Sequence, residues 1–212
     1  MRSSLKNIFK VGVTCGIGSG KSTVCDFFER WNAPVLRSDD IAKQVSNSDP
    51  RIRSKLITLL GSDAYLPDGS LNRSWIASMI FRDGKLRQKV ESIVHPIVEE
   101  ERNRRIAELA NQGNVLVIIE SALIYEVGLD KQLDAVLLID AKEELRIKRT
   151  CARIGLSEKE VHSRMKAQFD IMKKLKRADY SIQNNGSLED LESKVRFLYT
   201  IFQTISSEGK RV

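Results

Sequence analysis

Val13-Thr14-Cys15-Gly16-Ile17-Gly18-Ser19-Gly20-Lys21-Ser22-Thr23 decides the fold, because it reads as the end of a buried strand, a glycine-rich turn and the start of a helix. The residues before it, Ile8 to Val13, are mostly apolar, as suits a parallel strand covered on both faces. Val24 to Trp31 continue as a helix. Between the two, glycines let backbone N–H groups crowd around an anion and the helix N-terminus adds partial positive charge. Lys21 supplies a mobile cation for the β- and γ-phosphates of a nucleoside triphosphate. Ser22 is then placed to put its hydroxyl on Mg²⁺. The usual pattern is G-x-x-x-x-G-K-[ST], and here Cys15 holds the first glycine position. Gly16, Gly18 and Gly20 keep close backbone approach to phosphate available. The competing interpretation is a flexible glycine turn with a merely solvated Lys21.

A chain of 212 residues suits one domain with room for a small insertion. No apolar run approaches the ~20 residues that span a bilayer. Met1 to Lys10 is too short and too poor in apolar residues for a secretory signal, so a cytoplasmic protein without membrane partners is expected. Cys15, Cys25 and Cys151 are an odd count without metal spacing, which argues for reduced thiols. Cys25 and Cys151 are expected in the core. Cys15, beside phosphate at a helix N-terminus, is expected to have its thiolate stabilised and to be open to oxidation. The net charge of +7 suits anionic partners. That charge is spread along the chain and aromatic residues are few, so several small phosphates account for it better than nucleic acid.

Further along, Ala33 to Arg37 reads as a second strand ending at Ser38-Asp39-Asp40. In a parallel sheet the carboxyl ends of the strands face the ligand crevice, so this acidic pair points toward the phosphates. Asp39 either caps the next helix or accepts the proton of an acceptor hydroxyl. From Asp49 to about Leu109 the pattern is helical only, with one apolar face on Leu56, Leu59 and Leu60 and another on Trp75, Ile76, Met79 and Ile80. A third face carries Leu86, Val90, Ile93, Val94, Ile97 and Val98 at helical spacing. This is a helical insertion, residues 49–111, between core segments 7–48 and 112–212. Phosphotransferases place an acceptor-binding lobe in such a position. Pro96 interrupts the hydrogen-bond ladder of the third helix and frees the carbonyl four residues earlier, so a kink is expected at His95-Pro96. His95 falls beside Glu91, Glu99 and Arg102, off the apolar stripe, as either a salt-bridged residue or a site residue. The run Glu99 to Arg105 is expected to be a solvated helix face.

Val115 to Glu120 is a buried strand ending in an acid, the pattern that puts a carboxylate near the Mg²⁺ water shell. Ala135 to Ile139 is another, ending at Asp140 and followed by a helix with Arg146, Lys148, Arg149 and Arg153. Ser157-Glu158-Lys159-Glu160 is a capping box that starts a helix carrying Arg164 and Gln168. The two arginine-rich helices read as a mobile lid over phosphates, residues 146–175. Tyr180 to Gln183 is the last strand, Asn184-Asn185-Gly186 a tight turn, and Leu188, Leu191, Val195, Leu198 and Phe202 the docking stripe of a terminal helix. The tail Gly209 to Val212 is expected to fray. The expected fold is α/β: a single domain with a five-stranded parallel sheet flanked by helices, of the P-loop NTPase type.

With these residues in hand, the chain resembles the dephospho-coenzyme A kinase family over nearly its whole length. Thr14 to Thr23 resembles the family's T-G-G-I-G-S-G-K-[ST]-T loop, and Arg37-Ser38-Asp39 with Ile41-Ala42-Lys43 resembles its D-A-D-x-I-A-R segment. Val94-His95-Pro96 matches V-H-P, and Leu123-Ile124-Tyr125-Glu126 resembles L-L-F-E. Arg153 to Ser157, Arg164, Gln168, Ala178-Asp179-Tyr180 and Asn184-Asn185-Gly186 follow in order and spacing. The resemblance implies transfer of the γ-phosphoryl group of ATP to the 3'-hydroxyl of dephospho-coenzyme A. It further implies Asp39 as catalytic base, with Lys21 and Arg149 as catalytic cations. ATP would be held by Cys15, Gly16, Ile17, Gly18, Ser19, Gly20, Lys21, Ser22 and Thr23, with Arg149 and Arg153 of the lid and Asn185. The acceptor would meet Asp39, His95, Glu126, Arg164 and Gln168, and Mg²⁺ would meet Ser22 and Glu120. The chain departs from the family pattern at Cys15 for glycine, Arg37 for aspartate, Glu120 for aspartate and Ala122 for proline. A nucleoside monophosphate kinase is the nearest rival. A nucleotide-switch protein is disfavoured because N-K-x-D and D-x-x-G signatures are missing.

Overall fold

The computed structural model describes residues 8–81, 83–155, 157–167 and 170–208. Among them five strands form one parallel sheet: β1 (Phe9–Cys15), β2 (Val35–Arg37), β3 (Leu116–Glu120), β4 (Ala135–Asp140) and β5 (Tyr180–Gln183), in the order β2-β3-β1-β4-β5. β1 is central. It pairs with β3 from Phe9↔Leu116 to Val13↔Glu120 and with β4 from Val11↔Ala135 to Cys15↔Ile139. The chain leaves β1 toward one sheet edge and later crosses to the other, so the turn after β1 opens where the strand order reverses. That is where open α/β sheets bind ligands. The register also sets Glu120, the last residue of β3, level with Val13 at the mouth of that turn.

Helices α1 (Lys21–Arg30) and α9 (Leu188–Glu208) pack on one sheet face. Val24, Phe27 and Phe28 from α1 and Val195 and Phe202 from α9 join Val11, Val13, Ile118 and Leu137 in the main core. Phe28 meets Tyr199 edge-on at 5.8 Å, and the Tyr199 hydroxyl donates to the Trp31 carbonyl at 2.9 Å. The docking stripe of α9 starts at Leu191, not Leu188, which is 56% exposed. Ser187 caps the helix there, its Oγ accepting from the Asp190 N–H at 3.2 Å, so Leu188 is spent in the first turn. Cys25 is fully buried as expected, whereas Cys151 is half-buried.

The chain divides into two compact units, Met1–Leu36 with Glu108–Val212, and Arg37–Ala107. The second is helical, with α2 (Ser38–Ser48), α3 (Pro50–Leu60), α4 (Arg73–Phe81) and most of α5 (Gly84–Asn111). Asp49 caps α3 by accepting from the Arg51 N–H at 2.8 Å, with Pro50 at the first helical position where its missing N–H does no harm. The Tyr65 hydroxyl donates to the Ser46 carbonyl at 2.9 Å. α5 runs through Pro96 as one helix. A proline deletes one donor, and the remaining ladder of a helix of 28 residues holds.

Nor is Glu99 to Arg105 a uniformly solvated face. Arg102 lies four residues after the buried Val98 and is 6% exposed itself, continuing the apolar stripe by its stem. Glu101 is gripped by Arg104 and Arg105, each at 2.7 Å, and the Arg104 hydrogen bond above all holds its carboxyl down at about 2. The first unit also contains α6 (Glu143–Ile154), α7 (Glu158–Ala167) and α8 (Ile171–Arg177). The capping box of α7 forms as read, with the Ser157 N–H and hydroxyl both donating to Glu160 Oε2, at 2.9 and 2.6 Å. Among the described residues no helix is long and apolar enough to cross a membrane.

Candidate functional site

The turn between β1 and α1 has the form of an anion cradle. Gly20 occupies the N-cap position of α1 with φ 98°, and no side chain caps the helix. Its first amides therefore remain for a ligand. The carbonyls of the turn are secured from outside. Ile17 O accepts from Arg146 Nε at 3.0 Å, and Ser19 O accepts from Asn184 Nδ2 at 2.9 Å. With carbonyls turned toward α6 and toward the turn after β5, the loop faces an incoming phosphate with N–H groups.

The glycines serve this packing as well as the phosphate. A Cβ on Gly16 would strike the Arg146 guanidinium, and one on Gly18 would strike the Arg146 carbonyl oxygen and come within 2.5 Å of Thr150 Oγ1. Gly18 also has φ 77°, a left-handed conformation that a side chain strains. Because the obstacle at Gly18 is backbone, Gly18→Ala is expected to lose about 1–3 kcal/mol of stability from backbone strain, and more from the clash. A Tm equal to that of the parent would show that α6 does not pack on the loop.

Glu120 closes the other side. Its Oε1 lies 3.1 Å from Lys21 Nζ, with both side chains about nine-tenths buried. Ser22 is exposed in the first turn of α1, directly after Lys21. Among the described residues no three His, Cys, Asp or Glu side chains cluster as a metal cage. One hydroxyl and one carboxylate beside a phosphate cradle fit Mg²⁺, which takes most of its shell from phosphates and water.

Arg146 was not singled out by sequence reasoning, yet it is 6% exposed and touches both the loop and Asp140, with Nη1 3.8 Å from Oδ1. The signal was its helical spacing from Arg149, Thr150 and Arg153 on one face of α6. Arg149 donates to the Asn184 carbonyl at 3.0 Å, and Asn185 Oδ1 accepts from the Lys142 N–H at 2.8 Å. Arg153 is exposed in the last turn of α6.

The expected thiolate at Cys15 is corrected. The side chain ends β1 at 6% exposure, and burial pushes its thiol up despite Lys21, Lys174 and Arg146 nearby. Proximity to a helix N-terminus is outweighed by desolvation of the charged form.

Glu126 lies in the turn after β3, paired with Lys174 Nζ at 2.8 Å. Arg164 belongs to α7, but its side chain, like the whole of Gln168, lies outside the described residues. Asp39 and His95 belong to the unit Arg37–Ala107, and both are exposed. Asp39 is not a helix cap: α2 starts at Ser38 with Arg37 in the cap position and no side-chain bond there. His95 stands on α5 beside Pro96.

Residues 9–190 match the family model described as dephospho-CoA kinase. The chain is 38% identical over 185 residues to the dephospho-CoA kinase of Syntrophotalea carbinolica, covering 87% of this chain and 88% of that protein. Among solved structures it is similar to one from Thermus thermophilus, with TM-score 0.79 and 35% identity over 92% of this chain and 98% of that one. It shares its fold with the dephospho-CoA kinase of Campylobacter jejuni, with TM-score 0.64 and 22% identity over 94% and 98% of the two chains.

Proposed function

The chain belongs to the dephospho-CoA kinase family and transfers the γ-phosphoryl group of ATP to the 3'-hydroxyl of dephospho-CoA, and we propose that Lys21, Glu120 and Asp39 divide the chemistry between them. The observation that carries this is the Lys21–Glu120 pair at 3.1 Å beside the uncapped N-terminus of α1. In the free chain the carboxylate holds the ammonium at the mouth of the loop. When ATP arrives, Lys21 turns to the β- and γ-phosphate oxygens, while the loop amides hold the rest of the polyphosphate. Glu120 and Ser22 would hold Mg²⁺, which neutralises charge on the same oxygens when bound.

Asp39 accepts the proton of the 3'-hydroxyl as that oxygen bonds to the γ-phosphorus and the bond to ADP breaks. Phosphoryl transfer needs positioning and charge neutralisation more than covalent help. α6, which carries Arg149 and Arg153, and α7 after it therefore act as a lid that excludes water, the competing acceptor. Asn185 adjoins the nucleotide, and His95, Glu126, Arg164 and Gln168 hold the acceptor, as the family resemblance implies. A cytoplasmic location suits this reaction.

The purified chain with MgATP is expected to release ADP with dephospho-CoA and to give only background with AMP, CMP or GMP. Turnover with a nucleoside monophosphate at a comparable kcat/KM would transfer the assignment to that class of kinase. Chelation of Mg²⁺ by EDTA is expected to stop release, and full activity without divalent cation would remove the metal roles of Ser22 and Glu120.

A further inference from the structure

Lys174 is 1% exposed, and the phosphoryl-transfer chemistry makes no use of it. It stands in α8, whose N-terminus is capped by Asp170 accepting from the Met172 N–H at 2.9 Å. Its ammonium lies 2.8 Å from Glu126 Oε1 and donates to the Ala122 carbonyl at 2.9 Å. The same carbonyl accepts from Thr14 Oγ1 at 3.4 Å. Thr14 precedes Cys15 at the mouth of the phosphate loop, and Ala122 follows Glu120 by two residues. Ser121 N–H donates to the Val13 carbonyl at 3.1 Å, fixing the same segment to β1. One buried cation thus joins α8, the turn after β3 and the end of β1.

Stability alone is a poor reason for this arrangement. Apolar residues of similar volume hold two elements together at least as well as a buried ion pair, and often better. α8 has other attachments to the turn and its continuation, with Arg177 2.6 Å from Asp130 and its guanidinium 4.5 Å from the Tyr125 ring centroid. What an apolar contact cannot do is aim a carbonyl. We propose that Lys174 is a positioning residue for phosphoryl transfer: by fixing the Ala122 carbonyl it holds the segment after β3, and so keeps Glu120 in place against Lys21. This rests on the reading of Lys21 and Glu120 as the groups that meet the transferring phosphate.

The test compares Lys174→Met, Lys174→Arg and the double variant Lys174→Met/Glu126→Gln in the full chain, with Glu120→Gln and Glu126→Gln as references. The measurements are kcat, KM for ATP, Tm, and amide hydrogen exchange across residues 121–128. Lys174→Met is expected to lower kcat by about 10²-fold, the scale of a misplacement near 1 Å, with KM for ATP unchanged and exchange accelerated across 121–128. Lys174→Arg, which keeps a cation and donors, recovers part of the rate. The double variant removes the stranded carboxylate and regains Tm while its kcat stays well below that of Glu126→Gln alone, the comparison that sets aside the part of Glu126 in holding the acceptor. It makes the comparison even where the single variant does not fold. A purely structural lysine would move Tm alone, so parental kcat in folded Lys174→Met, or recovery of kcat in step with Tm in the double variant, overturns the proposal. If Glu120→Gln itself turned over normally, the reading beneath the proposal would fall with it. Loss in Glu120→Gln beside parental kcat in Lys174→Met would overturn the lysine's role alone.

Discussion

Lys21→Met is expected to lose about 10²–10³-fold in kcat, the loss typical when one preorganised donor to developing charge is removed. Methionine keeps most of the length and bulk of the side chain and removes the ammonium. The backbone cradle survives, because its carbonyls are held by Arg146 and Asn184 and not by Lys21. The variant should therefore still bind nucleotide, with a smaller rise in Tm on adding ATP than the parent shows. Its Tm without nucleotide should also fall. Glu120 is 9% exposed and sits 3.1 Å from the ammonium that the substitution deletes, and breaking one side of a buried pair is destabilising. Lys21→Arg should rescue the rate only weakly, since a planar guanidinium does not present its charge as a compact ammonium does. Parental kcat in folded Lys21→Met would mean that the turn after β1 is not where the transferring phosphate sits.

The sheet was legible because apolar runs bounded by turn residues admit few alternatives. All five strands lie within a residue or two of the runs Ile8 to Val13, Ala33 to Arg37, Val115 to Glu120, Ala135 to Ile139 and Tyr180 to Gln183. The phosphate loop was legible for a similar reason, since Gly18 and Gly20 adopt positive φ and glycine is the residue that does so freely.

Arg146, Asn184 and Lys174 were not legible as site residues, because their roles arise only when distant elements meet. In Lys173-Lys174-Leu175-Lys176-Arg177 four cations look alike. The register of α8 against the turn after β3 buries Lys174 alone among them. Arg102 was misjudged by the same route, its charge dominating a reading in which its place four residues after Val98 decides burial. For Cys15 the error was one of magnitude: a helix terminus and neighbouring cations favour the thiolate, and burial at the end of a central strand opposes it more strongly.

Asp39→Asn is expected to lower kcat by about 10²–10⁴-fold, the usual contribution of a positioned general base, while leaving the KM for ATP unchanged. The side chain is exposed in the first turn of α2, where no side-chain cap forms. Its carboxylate is therefore not consumed in holding the helix end. Asparagine preserves shape and hydrogen bonding but cannot take the proton of the 3'-hydroxyl. A loss of rate alone would not separate a base from a residue that orients the alcohol. Chemical rescue does: in Asp39→Ala, added formate should restore turnover in proportion to its concentration if Asp39 accepts the proton, because a free carboxylate can take the proton in its place. A residue that only orients the alcohol would gain nothing from formate. Parental turnover by Asp39→Asn, or Asp39→Ala left unmoved by formate, would take the proton-accepting role away from Asp39 and leave it to another carboxylate or to water, without disturbing the assignment of the ATP side to Lys21 and the loop.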